Sequence, residues 1–339
     1  MRHIIVRKTG GPSCLLLEHA EDPEPLNGCV RVAVRAIGIN FADILVRQGL
    51  YSDVPGYPVV PGYEIAGVVE KVGRNVESSW LGQEVFGLTF FGGYAEKVCL
   101  PVEHIFLKPK EISFEVACGL PTTYATAWQL LIVMGALKPQ ERVLIHNAGG
   151  GVGLAAVDLA RHVGATIYGT ASQRKHEQLQ KRGLSHPIDY NTADWEQTFA
   201  VMTEGRGAHL ILDPLGGRNF RKSYRALAPT GRLGMYGISE ASHSGFWGRI
   251  KLLGTALAMP FFHPVSLMNG NKAVFGVNLA RLAADPPMMR SWIEEILDLT
   301  KQGRLHPEVD RAFAFEKAHE AHEYIEARKN LGKVVLYFK

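Results

Sequence analysis

One stretch, "HNAGGGVGLAAVDLARHVG" from His146 to Gly164, constrains the fold of this chain more than any other. It follows directly on "RVLIH", a short apolar run of strand type. It then opens an apolar stripe of Val152, Ala155, Ala156, Leu159, Ala160 and Val163 at helical spacing, and Gly164 suits the helix stop. Strand, glycine-rich turn and helix in succession predict a β–α unit that binds a dinucleotide. Ala148, Gly150 and Gly153 meet the fingerprint spacing, with alanine in place of the first glycine. Gly150 lets the main chain approach a pyrophosphate, and Gly153 lets the helix pack closely on the strand. The first-turn N–H groups, those of Gly151 and Val152 among them, would face the phosphates. A merely flexible loop is the alternative.

The rest of the chain supports the first reading. "RVLIH", "ATIYGT", "HPIDY", "AHLILD", "GRLGMYGI" and "AVFGVNL" are six candidate strands, most of them separated by enough residues for a crossover helix. That alternation predicts a doubly wound parallel sheet over residues 121–284. Residues 1–120 read as strand and turn. In "CVRVAVRAIGIN", Val30, Val32, Val34 and Ala36 share one face, with Arg31 and Arg35 on the other. "PGYEIAGVVEKVG" and "GQEVFGL" look like further short strands. This half is expected to be a β-rich barrel, joined by residues 285–339, where two helices and the strand "KVVLYF" follow.

Composition narrows the function. A net charge of +4 without a Lys/Arg run or aromatic–basic stripe argues against nucleic acid. The four cysteines, Cys14, Cys29, Cys99 and Cys118, have neither zinc-clip nor redox spacing. The start "MRHIIVRKTGGPS" has too short an apolar run for a signal peptide, and the scattered cysteines make a reduced cytoplasmic protein the expectation. Leu252–Asn271 carries no charge and has the length of a membrane span, but Pro260 and Pro264 would break a spanning helix. It reads as a buried or pocket-lining excursion, with membrane-surface contact as the alternative. The overlapping apolar segment, residues 246–268, is rich in aromatics and methionines and suits the wall of a site for a bulky apolar acceptor. "AVFGVNLA" reads as the last strand of the parallel sheet. Its apolar side chains make a bare edge costly, so a homodimer through that strand is expected.

"VLIHNAGGGVGLAAVDLA", "GINFADILVRQGLY", "PGYEIAGVVEKVG" and "LPTTYATAW" occur in an order that resembles the quinone oxidoreductase (zeta-crystallin-like) branch of the medium-chain dehydrogenases/reductases. "GTASQRKHE", "HPIDYNT", "LDPLGG" and "NKAVFGVNL" are similar to the vesicle amine transport protein homologues of that branch. The resemblance implies a GroES-like β-barrel domain plus a Rossmann domain, an α/β protein with cofactor and substrate in the cleft between the two. Alanine at the first fingerprint position is usual in that family.

An NAD site wants a carboxylate about 20 residues past the glycines. This chain has Ser172, Arg174 and Lys175 there and no Asp or Glu. A hydroxyl and two cations fit the 2′-phosphate of NADPH; a solvated helix start is the alternative for the cations. The resemblance adds Tyr190 and Arg328 near that phosphate, and Thr126, Gly237, Phe275 and Asn278 near the nicotinamide. Asp213 either joins them or orders its own Asp-Pro turn.

The same resemblance places the zinc ligands of alcohol dehydrogenases at Asn40 and Tyr63, neither of which suits zinc. A zinc-independent reductase is therefore expected, delivering hydride to a quinone or an α,β-unsaturated carbonyl. Asn40 is a candidate hydrogen-bond donor to the developing oxyanion, or else a turn amide. Tyr51 matches a proton-donating tyrosine of related enoyl reductases, or else is a packed loop aromatic. An enoyl-thioester reductase and a non-enzymatic NADPH- and lipid-binding module remain the alternative functions.

Overall fold

The computed structural model describes residues 1–239, 254–255 and 257–338. The chain divides into two compact units. Met1–Ala125, Ala280–Asp298 and Pro307–Lys339 form the first, and Thr126–Leu279 with Leu299–His306 the second.

The first unit is built on a seven-stranded sheet. Its strands are β3 (Cys29–Ile39), β4 (Glu64–Val72), β5 (Glu84–Leu88), β6 (Lys97–Pro101), β7 (Ile105–Leu107), β14 (Val309–Ala314) and β15 (Lys333–Tyr337). The order is β14-β15-β3-β4-β5-β7, with β6 also pairing β3. A hairpin of β1 (Arg2–Val6) and β2 (Leu15–His19) stands apart as a second sheet. The alternation read from "CVRVAV" is realised: Val30, Val32 and Val34 are buried with Ile37, Ile65 and Phe315, and Arg35 is exposed. The strand-and-turn reading of this half omits a helix, Phe41–Gln48. Asn40 stands at its N-cap, the Asp43 carboxylate accepts the Asn40 N–H at 2.7 Å, and Gly49 closes the helix in the left-handed region. Within the helix, Arg47 is fully buried, 2.7 Å from Glu326 on the helix Ala318–Glu326.

The second unit carries six parallel strands: β8 (Arg142–Ile145), β9 (Thr166–Ala171), β10 (His186–Asp189), β11 (Ala208–Asp213), β12 (Leu227–Met235) and β13 (Ala273–Gly276). Their order is β10-β9-β8-β11-β12-β13. The predicted doubly wound sheet is thus present, and the order reverses at β8. Strands β8, β9 and β11 are almost wholly buried, as a sheet covered on both faces requires. Leu144, Tyr168, Ile188, Trp195, Phe199 and Ile211 form much of that core.

Of the apolar segment 246–268, residues 246–253 and Ala256 lie outside the described residues. In the remainder Leu257, Phe261 and Met268 are exposed while Thr255 is buried, so a wholly buried excursion is not what forms. Pro264 starts a short helix, Pro264–Gly270, in place of a continuous run. Among the described residues, one helical run, Phe114–Val133, is long and apolar enough to cross a membrane, and it is mostly buried inside the protein.

Candidate functional site

Two sets of residues carry candidate chemistry, one in each unit. In the second unit nearly all the predicted cofactor residues gather at the carboxyl ends of the parallel strands. After β8 the chain turns at Asn147, with φ of +52°, and enters the helix Gly151–Val163 with Gly150 as its N-cap. No side chain caps this helix, and its first internal bond is Leu154 N–H to Gly150 C=O, at 2.8 Å. The N–H groups of Gly151, Val152 and Gly153 therefore lack helical partners, as a phosphate-binding turn requires. A Cβ on Gly153 would lie 2.2 Å from the Asn147 carbonyl oxygen, so only glycine allows the helix to start this close to the loop. Ala148 is buried in the turn.

The other strand ends place the remaining residues. Ser172 follows β9 as the N-cap of the turn Gln173–Lys175, with Arg174 exposed. Lys175 is buried, which departs from a solvated helix start. Tyr190 follows β10, and Gly237 lies beyond β12. Phe275 is on β13, with Asn278 just after it. Thr126 is buried in the helix Leu120–Trp128. Arg328 belongs to the other unit, after the helix Ala318–Glu326, with φ of +55°.

A buried polar chain underlies this edge. The Asn147 N–H donates to Thr170 Oγ1 at 3.2 Å, and that hydroxyl lies 3.2 Å from His146 Nδ1. His146 Nε2 lies 3.2 Å from Ser223 Oγ, and Ser223 donates to Asp213 Oδ2 at 2.7 Å. Ser223 spends its one hydrogen on Asp213, so His146 carries its proton on Nε2 and accepts from Thr170 at Nδ1. Burial holds the imidazole below its ordinary range, and it stays neutral. The Asp213 carboxylate also accepts from Leu215 N–H and Asn219 Nδ2, so it orders its own turn.

In the first unit Asn40 is a node. Its Nδ2 donates to Glu64 Oε1 at 2.8 Å, and its Oδ1 accepts from Lys333 Nζ at 2.7 Å. A carboxylate only accepts and an ammonium only donates, so the amide can face only one way. Lys333 also bonds Glu64 directly, and Glu64 Oε2 accepts the Thr122 N–H at 2.8 Å. Glu64 is fully buried and Lys333 is 6% exposed. One Asn40 N–H remains, 3.5 Å from the Gly38 carbonyl. Sequence reading missed both Glu64 and Lys333. Each is a charged residue that opens an apolar-rich strand, β4 and β15, and that was the available signal.

Tyr51 is half-buried, and its ring meets that of Tyr63 edge-on at 5.9 Å. Burial pushes its phenol up, with the Tyr63 hydroxyl pulling the other way. Asp43 holds the region together: Oδ2 accepts the Asn40 N–H, and Oδ1 the Gly62 N–H at 2.8 Å. Full burial raises its carboxyl to about 7 against those two bonds.

Comparison with known proteins places this geometry. The family described as "Alcohol dehydrogenase GroES-like domain" matches residues 27–110, and "Zinc-binding dehydrogenase" matches residues 182–336. The synaptic vesicle membrane protein VAT-1 homolog of Homo sapiens is 36% identical over 339 residues, 99% of this chain and 86% of that protein. Its Danio rerio counterpart is 37% identical over 315 residues; the match takes in 93% of this chain but 65% of the relative's length. The crystal structure of Escherichia coli quinone oxidoreductase complexed with NADPH has a TM-score of 0.88 at 26% identity, covering 99% of this chain and 100% of that one. The chain belongs to the medium-chain dehydrogenase/reductase superfamily. It is an oxidoreductase-family protein with a GroES-like unit and a Rossmann-like unit, close to the VAT-1 homologues and to quinone oxidoreductase-like proteins.

The name of the second matching family raises the question of zinc. The residues here do not fit it. Asn40 is a neutral amide with its oxygen already on an ammonium, Tyr63 is a phenol, and Lys333 puts a positive charge where a second cation would be repelled. Among the described residues no group of three or more His, Cys, Asp or Glu is arranged to hold a metal. The dinucleotide is different. The uncapped first turn at Gly151–Gly153 and the cations after β9 fit a phosphate-bearing cofactor.

Proposed function

We propose that this protein is an NADPH-dependent, zinc-independent reductase that delivers hydride to a quinone or an α,β-unsaturated carbonyl. One observation carries the reading. The turn Ala148–Gly153 offers unpaired N–H groups at the carboxyl edge of the sheet, and the end of β9 presents Ser172, Arg174 and Lys175 with no carboxylate between Ala171 and His176. The NADPH complex of the structurally similar quinone oxidoreductase supports the same cofactor.

When bound, NADPH supplies the hydride. The chain's own part is to orient the acceptor, donate hydrogen bonds to the oxygen where charge builds, and provide a proton. Tyr51 suits the last task, because its raised phenol is protonated at neutral pH. The Asn40 amide is held rigidly by Glu64 and Lys333, and its second N–H makes only a long contact, 3.5 Å to the Gly38 carbonyl.

The test is NADPH oxidation over a panel of quinones, enones and enoyl thioesters. Turnover with quinones or enones is expected. In Tyr51→Phe the enone rate should fall by about 10²-fold, and the quinone rate by less, because a reduced quinone takes protons readily from water. Turnover with enoyl thioesters alone would move the reading to lipid or polyketide synthesis. No turnover, together with cosedimentation with liposomes, would move it to a non-enzymatic lipid-binding module. β13 is the edge strand of its sheet, and we propose that it pairs with its twin in a homodimer; light scattering showing a monomer at micromolar concentration would contradict that.

A further inference from the structure

Tyr63 has no task in the mechanism above, yet its surroundings are unusual. It follows Gly62 directly and precedes β4; Gly62 has a φ of +107°, and a Cβ there would meet Tyr94 N at 2.7 Å, so the turn admits only glycine. The Asp43 carboxylate grips both that turn and the start of the helix Phe41–Gln48, through Gly62 N–H and Asn40 N–H. The ring of Tyr63 is thereby fixed among Val6, Val46 and Val59, with Tyr51 edge-on and Phe91 at 5.3 Å. The side chain is 5% exposed, and its hydroxyl is buried without a hydrogen bond of good geometry, although it lies close enough to the Tyr51 hydroxyl to act on it. A buried hydroxyl left unpaired in a native protein calls for an explanation, and a ligand that completes it is one. Burial, with the negative charge of Asp43 and Asp53 behind it, keeps the phenol protonated.

We propose that Tyr63 is a second hydrogen-bond donor to the acceptor's carbonyl or quinone oxygen, acting beside Tyr51. The inference rests on the reductase reading and extends it from one phenol to two. A carbonyl oxygen has two lone pairs and can accept from both rings at once. Tyr63 lends only a hydrogen bond; no proton leaves it. Such a donor is worth most where charge builds on that oxygen.

The variant Tyr63→Phe separates this role from packing. It removes an unpaired hydroxyl and keeps the ring, so thermal stability should be unchanged or higher. For an enone acceptor kcat/KM should fall by about 10²-fold. The visible spectrum of 4-nitrophenolate, an oxyanion that cannot be reduced across a carbon–carbon double bond, gives an activity-independent readout. Wild type should bind it with a shifted band, and Tyr63→Phe should bind it about tenfold more weakly with a smaller shift. Full enone turnover in the variant overturns the inference while leaving the reductase reading intact. So does equal 4-nitrophenolate affinity in the two proteins, failure of wild type to bind it, or a clear loss of stability in the variant. If wild type reduces no acceptor at all, the reductase reading fails by itself, and 4-nitrophenolate still shows whether Tyr63 donates to a bound oxyanion.

Discussion

The two regions that carry candidate chemistry are built from different material. In the second unit the work falls mainly to main chain: three first-turn N–H groups, glycines at Gly150 and Gly153, and a left-handed turn at Asn147. In the first unit it falls to side chains. Asn40, Glu64 and Lys333 meet only because β3, β4 and β15 lie side by side in one sheet. A main-chain site tolerates exchange of most side chains around it but not an added Cβ. A side-chain site behaves in the opposite way, since each member depends on the charge of the others.

The largest effect should come from breaking the side-chain site. Lys333→Met leaves the buried Glu64 carboxylate without its counter-charge, held only by the Asn40 amide and the Thr122 N–H, and should cost about 3–5 kcal/mol of folding stability. The double change Glu64→Gln with Lys333→Met removes both charges and should recover most of that loss. Urea denaturation of the three proteins measures it. A Lys333→Met variant as stable as wild type would mean that the pair holds nothing, and the contrast between the regions would collapse.

The same contrast governs what could be read from the sequence. The parallel sheet was legible because its signals are local: short apolar runs, glycines beside them, and helical stripes between. The candidate cofactor edge was readable for the same reason. The helix Phe41–Gln48 was also locally signalled, by Asn40 and Asp43 three residues apart and by Gly49 at its end, and the strand-like surroundings hid it. Glu64 and Lys333 are 269 positions apart, and no local pattern can announce their pairing. Lys175 shows the converse limit, because a lysine beside an arginine at a helix start reads as surface and is buried.

A smaller, pH-dependent effect sharpens the contrast. The Asp43 carboxyl titrates at about 7 when folded, above its ordinary 3.8. Between those values the folded chain holds a proton that the unfolded chain has lost. Its contribution to stability is therefore complete below about pH 4 and disappears as pH rises through 7, at no more than about 1.4 kcal/mol per pH unit. Asp43→Asn lacks this dependence and keeps only one of the two N–H bonds. The stability gap between wild type and Asp43→Asn should thus be wider at pH 5 than at pH 7.5. His322, which burial lowers to about 3, drives the opposite trend between about 3 and 6.5, but it is present in both proteins and cancels. A gap that does not change with pH would show that Asp43 ionises freely in the folded state.

The smallest effect lies at the end of β9, where the main-chain site borrows side chains. NADPH differs from NADH by one phosphate of nearly two negative charges, and Arg174 is the exposed cation there. Arg174→Glu exchanges attraction for repulsion without touching the glycines or the first-turn N–H groups. Because water screens the position, NADPH affinity should fall only about tenfold, with NADH unchanged. Raising the salt concentration should narrow the difference between wild type and variant, since exposed ion pairs weaken within a shorter Debye length. Buried Lys175 should be less sensitive to salt, so part of the preference for NADPH should survive. Titration of both cofactors by fluorescence gives all four affinities. If NADPH and NADH weaken together in the variant, Arg174 supports the loop and does not read the phosphate. If wild type binds both equally, the absence of a carboxylate after β9 does not select the cofactor, and the main chain at Gly150–Gly153 is left as the whole of the recognition.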